Sequence, residues 1–318
     1  MKRKVVAMLL VGAAWLAATA AQAMQIERHG DQIVLSGPVV AGDLEQIRGA
    51  LDAAPDVHTV ILRNSLGGHA ATGYRVGELF RARQLRTAVS GYCISSCSRM
   101  FLGGTVRAFT DDYPPERTRV GFHGHYDQAG NLMPDYVRAM GLEAWTLRFS
   151  DGKADPALVH RWANIGRASG TASFFPPSVT TSGHPAATFC DAPPGSSGPL
   201  ACEALAATAL QMGITTTDDI VHSNDHPHPP PLPPATGFAA LDDAAKLPTD
   251  SERIREQYLA FLGASSPRAF ALSPDGKHFA WRFGTDDAAE RVLERCAMAA
   301  QQACRLYAVD DRVVWAAP

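Results

Sequence analysis

A short β-branched run, Val57 to Arg63, breaks into Asn64-Ser65-Leu66-Gly67-Gly68 and gives way at once to helical spacing. From about Ala70 to Arg83, Val76, Leu79 and Phe80 fall on one face. Strand, glycine turn and helix in that order make a βα unit, and the helix must carry the chain back to the sheet. Arg86 to Ser90 supplies the returning strand, which such a crossover places parallel to the first. A layered α/β fold is therefore the expectation.

The flanking segments extend that unit. Residues 25–35 read as two short strands about a Gly30-Asp31 turn, and Asp43 opens a helix that keeps Leu44, Ile47 and Leu51 on one face. After Ser90 come Cys93-Ile-Ser-Ser-Cys97 and the apolar helical run Met100-Phe101-Leu102, closed by Gly103-Gly104. Thr118 to His125 alternates as a strand, which puts His123 and His125 on one face and Phe122 and Gly124 on the other. Residues 132–165 are read as mostly helical. Residues 166–200, rich in Ser, Thr, Pro and Gly, are read as a long loop. Cys202 to Met212 is predicted to be a helix stopped by Gly213.

A first unit, residues 24–221, ends at the Pro- and His-rich stretch that opens a linker over residues 222–250. The remainder, residues 251–318, reads as a small α+β unit in the order αββαβ, with helices over 251–262 and 286–300, a strand pair about Ser273-Pro-Asp-Gly276, and a final strand from Arg305 to Trp315. It carries no recognisable chemistry, so a stabilising or interaction role is assigned to it.

The first 23 residues have the three zones of an export signal. Lys2, Arg3 and Lys4 are followed by an apolar run to Ala20 and by the small-x-small pattern Ala21-Gln22-Ala23. The apolar run is short for a bilayer span and ends in a cleavage pattern, so the mature chain is expected to begin near Met24, in the periplasm or outside the cell, with no stable membrane span. In that setting six cysteines in three local pairs predict disulfides Cys93–Cys97, Cys190–Cys202 and Cys296–Cys304. Proximity alone selects this pairing, and Cys93 with Cys97 also reads as two buried thiols. The formal net charge of -3, with no dense basic run after the signal, gives no reason to expect a nucleic-acid partner.

Three segments hold residue types that nucleophilic catalysis needs: a hydroxyl, a base, and backbone N–H groups free to face an oxyanion. Ser95 lies at a strand-to-helix turn, Gly67 and Gly68 end a neighbouring strand, and His123 lies on a third. Their order matters more than any one of them. The pattern Ser65-x-Gly-Gly, then Cys93-x-Ser-x-Cys with Gly103-Gly104 nine residues past Ser95, then Val-x-Phe-His123, resembles the Clp protease proteolytic subunit and its exported relatives in the Clp/crotonase superfamily. The resemblance spans roughly residues 25–221, including Met212-Gly-Ile-Thr before Asp219.

The resemblance implies a core of repeated βαβ units wound into a spiral, and a serine peptidase or other serine hydrolase. It makes Ser95 the nucleophile, His123 the general base, and the N–H groups of Gly67 and Ser96 the oxyanion hole, with no metal or other cofactor. Ser96 is one residue past the nucleophile position, and His125 is kept as a substitute base. No motif marks the third member of a triad; Asp191 is first by order, with Asp151 and Asp155 behind it, and a Ser-His dyad is also open. Peptides, unfolded proteins and small esters all satisfy this reading as substrates. A homo-oligomer is in the superfamily's habit, and no ATP-driven unfoldase is expected outside the cytoplasm.

Other readings stay beside it. A Ser-Lys dyad is disfavoured, because Lys153, the only lysine between residues 24 and 245, sits in a polar setting. A catalytically inactive binding or assembly module on the same fold is the main alternative. His222, Asp225, His226 and His228 crowd together as metal-site residues do, but are read as a solvated linker.

Overall fold

The computed structural model describes residues 23–316 apart from 197, 228 and 230; the expected export signal, save its last residue Ala23, lies outside the described residues. Strands β1 (Gln25–His29) and β2 (Gln32–Ser36) form an antiparallel hairpin about Gly30, whose φ of 64° is a conformation glycine adopts without strain. Helix α1 (Asp43–Asp52) carries the chain to β3 (Thr59–Ser65), and α2 (Ala70–Ala82) to β4 (Arg86–Ile94), so that β2, β3 and β4 run parallel. The central run of β3 is apolar throughout because both faces are covered. Val60 and Leu62 pack into the core that includes Leu44, Val76 and Phe80, while Ile61 packs with Val34, Ala88, Ala108 and Val221 on the other side.

Strand β4 forks the sheet. After it come α3 (Ser96–Leu102), β5 (Val106–Thr110) and β6 (Arg119–Phe122). Its first half pairs with β5, and its last three residues pair with β6. Gly91 stands between the halves with φ 74°, and its Cα faces the Asn64 side chain too closely for a Cβ. Helices α4 (Pro134–Ala139), α5 (Leu142–Phe149) and α6 (Pro156–Ala163) then pack beneath the sheet, burying Trp145 and Trp162.

The sheet continues antiparallel from β6 through β7 (Thr171–Phe174), β8 (Ala187–Asp191) and β9 (Ala201–Ala204). A short β10 (Ile220–Val221) pairs with β5 and completes a ten-stranded mixed sheet. A second sheet of four antiparallel strands is built from β11 (Arg268–Leu272), β12 (Phe279–Phe283), β13 (Arg305–Val309) and β14 (Arg312–Val313). Helix α7 (Glu252–Leu262) covers one face of it, with Tyr258 and Phe261 against Phe270 and Tyr307. Helix α8 (Ala288–Ala300) covers the other, with Val292 and Cys296 against Ala271 and Val309.

The fold is thus mixed α/β, and it departs from the sequence reading in three places. The stretch 166–200 is not one loop, since it holds the whole of β7 and β8, which pair with each other and, through β7, with β6. The segment from Cys202 to Met212 is not a helix. Ala201–Ala204 is a strand, because Cys190 and Cys202 are direct cross-strand partners and their bridge lies across the β8–β9 pair. The last strand is a hairpin, turned at Asp310-Asp311. The other two bridges, Cys93–Cys97 and Cys296–Cys304, form as paired in the sequence. Among the described residues no helix is long and apolar enough to cross a membrane.

Candidate active site

Ser95 stands at the junction of β4 and α3 with φ 60° and ψ -125°, outside the conformations an ordinary side chain prefers. The turn is held from three sides. The Ser95 N–H donates to the Gly121 carbonyl of β6 at 3.0 Å, and its own carbonyl accepts from the Ser98 N–H and hydroxyl at 3.0 and 2.6 Å. The Cys93–Cys97 bridge, wholly buried, closes the turn beneath it. The Ser95 side chain caps nothing and remains half-buried, whereas Ser96, 1% exposed, has a hydroxyl with no hydrogen-bond partner and lies under Gly73 of α2. The two serines are thereby separated by environment.

Gly67 lies against this turn. A Cβ there would stand 2.6 Å from the Ile94 carbonyl oxygen and 2.8 Å from both Ser95 Cβ and Ser96 N, so only glycine lets the two backbones approach. Its φ is 85°, and its N–H is 3.2 Å from the Ser65 hydroxyl. The adjacent Gly68 (φ 143°) pairs with Val39 in an isolated bridge that anchors the loop.

His123 follows directly on β6. The strand ends at Phe122, short of the expected His125, and both histidines are buried. Neither His123 ring nitrogen has a hydrogen-bond partner among the described residues. Burial, then the neighbouring positive charge of Arg99, then His125, push the His123 imidazole down to about 3; the Ala168 backbone, near the ring but outside hydrogen-bond geometry, opposes them weakly. His125 is pushed down to about 3 by burial and Arg99, and its Nε2 lies 3.0 Å from the Tyr74 hydroxyl. Both rings are therefore neutral in the fold at ordinary pH.

The residue not anticipated from sequence is Arg99. It is 1% exposed, one turn along α3 from Ser95, and its Nη2 donates to the His123 carbonyl at 2.6 Å while Nε and Nη1 have no partner. The guanidinium faces the Tyr74 ring, 5.9 Å from its centroid. A lone arginine inside the apolar run Cys97 to Leu102 was the available signal, since such a residue is almost never fully buried without a partner.

Asp191 does not reach the imidazole. Its Oδ1 accepts from the Gly166 and Ala192 N–H groups at 3.0 and 2.7 Å, and its charge helps, after burial, to raise the Tyr126 hydroxyl. Tyr126 lies against His123, ring centroids 5.0 Å apart, so Asp191 stands behind Tyr126 rather than against the imidazole. Asp151 pairs with Arg107 and Arg81, and Asp155 caps α6 through the Ala157 N–H. Asp225 pairs with Arg63 and His222 with Asp111, while His228 lies outside the described residues.

No protein-family model matches the chain and no curated protein matches it. Among solved structures, ClpP1 from Listeria monocytogenes is similar at 12% identity and a TM-score of 0.39, over 61% of this chain and 93% of that one. A mutant of the same ClpP1 is similar at 12% identity and 0.38, over 62% and 94%. A mutant of the 1510-N membrane-bound stomatin-specific protease is similar at 12% identity and 0.35, over 46% and 73%.

Proposed function

We propose that this chain is an exported serine hydrolase, acting on peptides, with a Clp/crotonase-like spiral core over residues 24–221 and a small C-terminal unit over residues 251–318. The observation that carries the reading is the Ser95 turn, a strained non-glycine residue at the start of a helix, its side chain uncapped, with the backbone of Gly67 packed against it. Strain of this kind is kept where the surroundings over-determine it, and here a β6 carbonyl, two Ser98 donors and a disulfide do so.

In the proposed reaction His123, held neutral by burial, takes the Ser95 proton as Oγ attacks a carbonyl, and the oxyanion is received by the Ser96 N–H and by the Gly67 N–H, which gives up its bond to the Ser65 hydroxyl. The base returns that proton to the leaving group, and water releases the acyl group by the same steps in reverse roles. Arg99 fixes the His123 backbone, a positioning role. Apo geometry that leaves both His123 nitrogens unpartnered accords with a catalytic bond that forms only with substrate.

Export is part of the proposal. Met24 is buried and its N–H donates to the carboxylate of Asp43 at 3.3 Å, so cleavage before Met24 would set a charged amino terminus beside a buried acid. The second reading, an inactive module, is favoured by the missing carboxylate at His123. A fluorophosphonate probe separates the two: covalent labelling of the wild-type chain that is abolished in Ser95→Ala is expected, and absence of labelling in folded protein would rule out the hydrolase.

A further inference from the structure

We infer that the cleft between the ten-stranded sheet and the C-terminal unit is a substrate subsite in which Arg119 receives a carboxylate carried by a short peptide. The inference rests on the hydrolase reading for its direction, from the cleft toward Ser95.

Register across β4, β6, β7 and β8 aligns Ile94, Gly121, Ser173 and Thr188 in one row. Alternation puts Val120, Phe122 and Phe174 on the helical side, where they are buried in the main core. The row with Ser173 and Thr188 faces the other way, toward the small unit. Two packed layers ordinarily meet through apolar side chains. Here Ser169, Thr171, Ser173 and Thr188 share the floor with Ile94 and Phe175, Leu262, Ser265 and Arg268 form the roof with Asp242 and Asp311 on the lining, and a cavity of about 460 Å³ lies between them. That volume falls in the range of ligand sites. Ser169 Oγ is buried with no hydrogen-bond partner, so the floor holds a polar group still to be satisfied.

The charges at this junction are nearly all answered. Arg117 pairs with Asp310, Arg268 with Asp311 and Arg312 with Glu116. Arg119 is different: it lines this cleft and an adjoining cavity of about 190 Å³, and no carboxylate lies within 4.0 Å of it among the described residues. Its one hydrogen bond runs from Nη2 to the Ser266 carbonyl at 2.5 Å. Nε and Nη1 have no partner and Nη2 keeps a second N–H, so one two-pronged edge of the guanidinium, shared with Nη2, is left for a planar carboxylate. Burial pulls the Arg119 guanidinium below its ordinary value, and the nearby charges of Asp310 and Asp311 offset this only in part.

Distance makes the subsite specific. Tyr92 is the register partner of Arg119; β4 ends two residues on at Ile94, which lines the cleft, and Ser95 follows at the turn into α3, roughly 10 Å from Tyr92 along the chain. A peptide anchored by its carboxylate at Arg119 and running along the Ile94 row would present a carbonyl about three residues away to Ser95. The carboxylate has two sources, a peptide's own C-terminus or an acidic side chain.

The test uses the full chain with Ser95→Ala and fluorescein-labelled hexa-alanine peptides in four forms: free C-terminus, carboxamide, and carboxamide with Glu or Gln third from the end. Either carboxylate form is expected to bind about 10- to 100-fold more tightly than its neutral counterpart, and the stronger of the two identifies the source. Arg119→Met should erase that preference, a readout that mere docking through Ser266 would not move. Equal binding of all four forms, no binding of the carboxylate forms, or an unchanged preference in folded Arg119→Met overturns the subsite. Should Arg119→Met fail to fold, the four-peptide comparison decides alone. Turnover of the same peptides by wild-type protein separates the two ideas: hydrolysis indifferent to the carboxylate removes the subsite, and preference without hydrolysis removes only the hydrolase.

Discussion

At the scale of single residues, the site is defined by charges that have been buried without being answered. Arg99, His123 and His125 share one apolar volume, and the guanidinium is the second cause, after burial, that holds both imidazoles down to about 3. Below the ordinary imidazole value of 6.5 the unfolded chain takes up a proton at each histidine that the folded chain refuses until about pH 3. Stability is therefore complete above pH 6.5 and falls as the pH drops toward 3, by up to about 1.4 kcal/mol per pH unit for each histidine. Urea unfolding at pH 7 and at pH 4.5 measures this, and a flat profile would contradict the burial of the two rings. Arg99→Met removes the charge and should move both imidazole titrations upward, read from their ring-proton shifts by NMR. The one-dimensional pattern marks Arg99 only as a charge within an apolar helix; its place was not legible because what surrounds it, Tyr74, His123 and His125, comes from α2 and from the chain beyond β6.

At the scale of elements, legibility followed range. The β3–Gly67–α2 unit could be read directly, because β-branched residues, a glycine pair and a helical stripe are local signals. His69 adds a cap by accepting from the Thr72 N–H at 3.3 Å. The β7–β9 region could not, since strands of four or five residues with Ser, Thr and Ala on one face carry the composition of a loop. What makes them strands is pairing with β6 and the Cys190–Cys202 bridge, both long-range facts. The candidate site shows the same division: Ser95, His123 and Gly67 could be proposed from their order along the chain, whereas the relation of Asp191 to Tyr126 depends on where β8 lies. Gly67→Ala tests the close approach of this loop to the Ser95 turn. Its Cβ has no room beside the Ile94 carbonyl and its φ of 85° is strained for alanine, so stability should fall by about 1–3 kcal/mol. Fluorophosphonate labelling should fall by more than about tenfold as the turn shifts. Labelling at the wild-type rate would separate Gly67 from the reactive turn.

At the scale of the whole molecule, the small C-terminal unit is joined to the main sheet by polar contacts rather than an apolar seam. The Asn64 amide and the Tyr113 hydroxyl both donate to Asp286, and the Tyr92 hydroxyl donates to the Gly284 carbonyl. Burial raises the Asp286 carboxyl, a cost that these donors partly offset. Asp310 is the hinge of the arrangement. Its Oδ1 accepts from the Arg268 N–H inside the small unit, and its Oδ2 accepts from Arg117 Nε of the main unit, both at 2.9 Å, with Asp310 only 7% exposed. One side chain thus satisfies a buried backbone donor and a half-buried cation that belong to different units. Contacts of this kind make the two cores unfold together, so the protein should show a single calorimetric transition whose van't Hoff and calorimetric enthalpies agree. Asp310→Ala leaves both partners unanswered, at a cost of about 3–5 kcal/mol. Because that loss falls on the joint while leaving the cores of α7 and α8 intact, the transition should split, the small unit melting first. A variant that keeps one transition at the original midpoint would show that the two units are coupled elsewhere, through the roof of the cleft at Ser265 to Arg268.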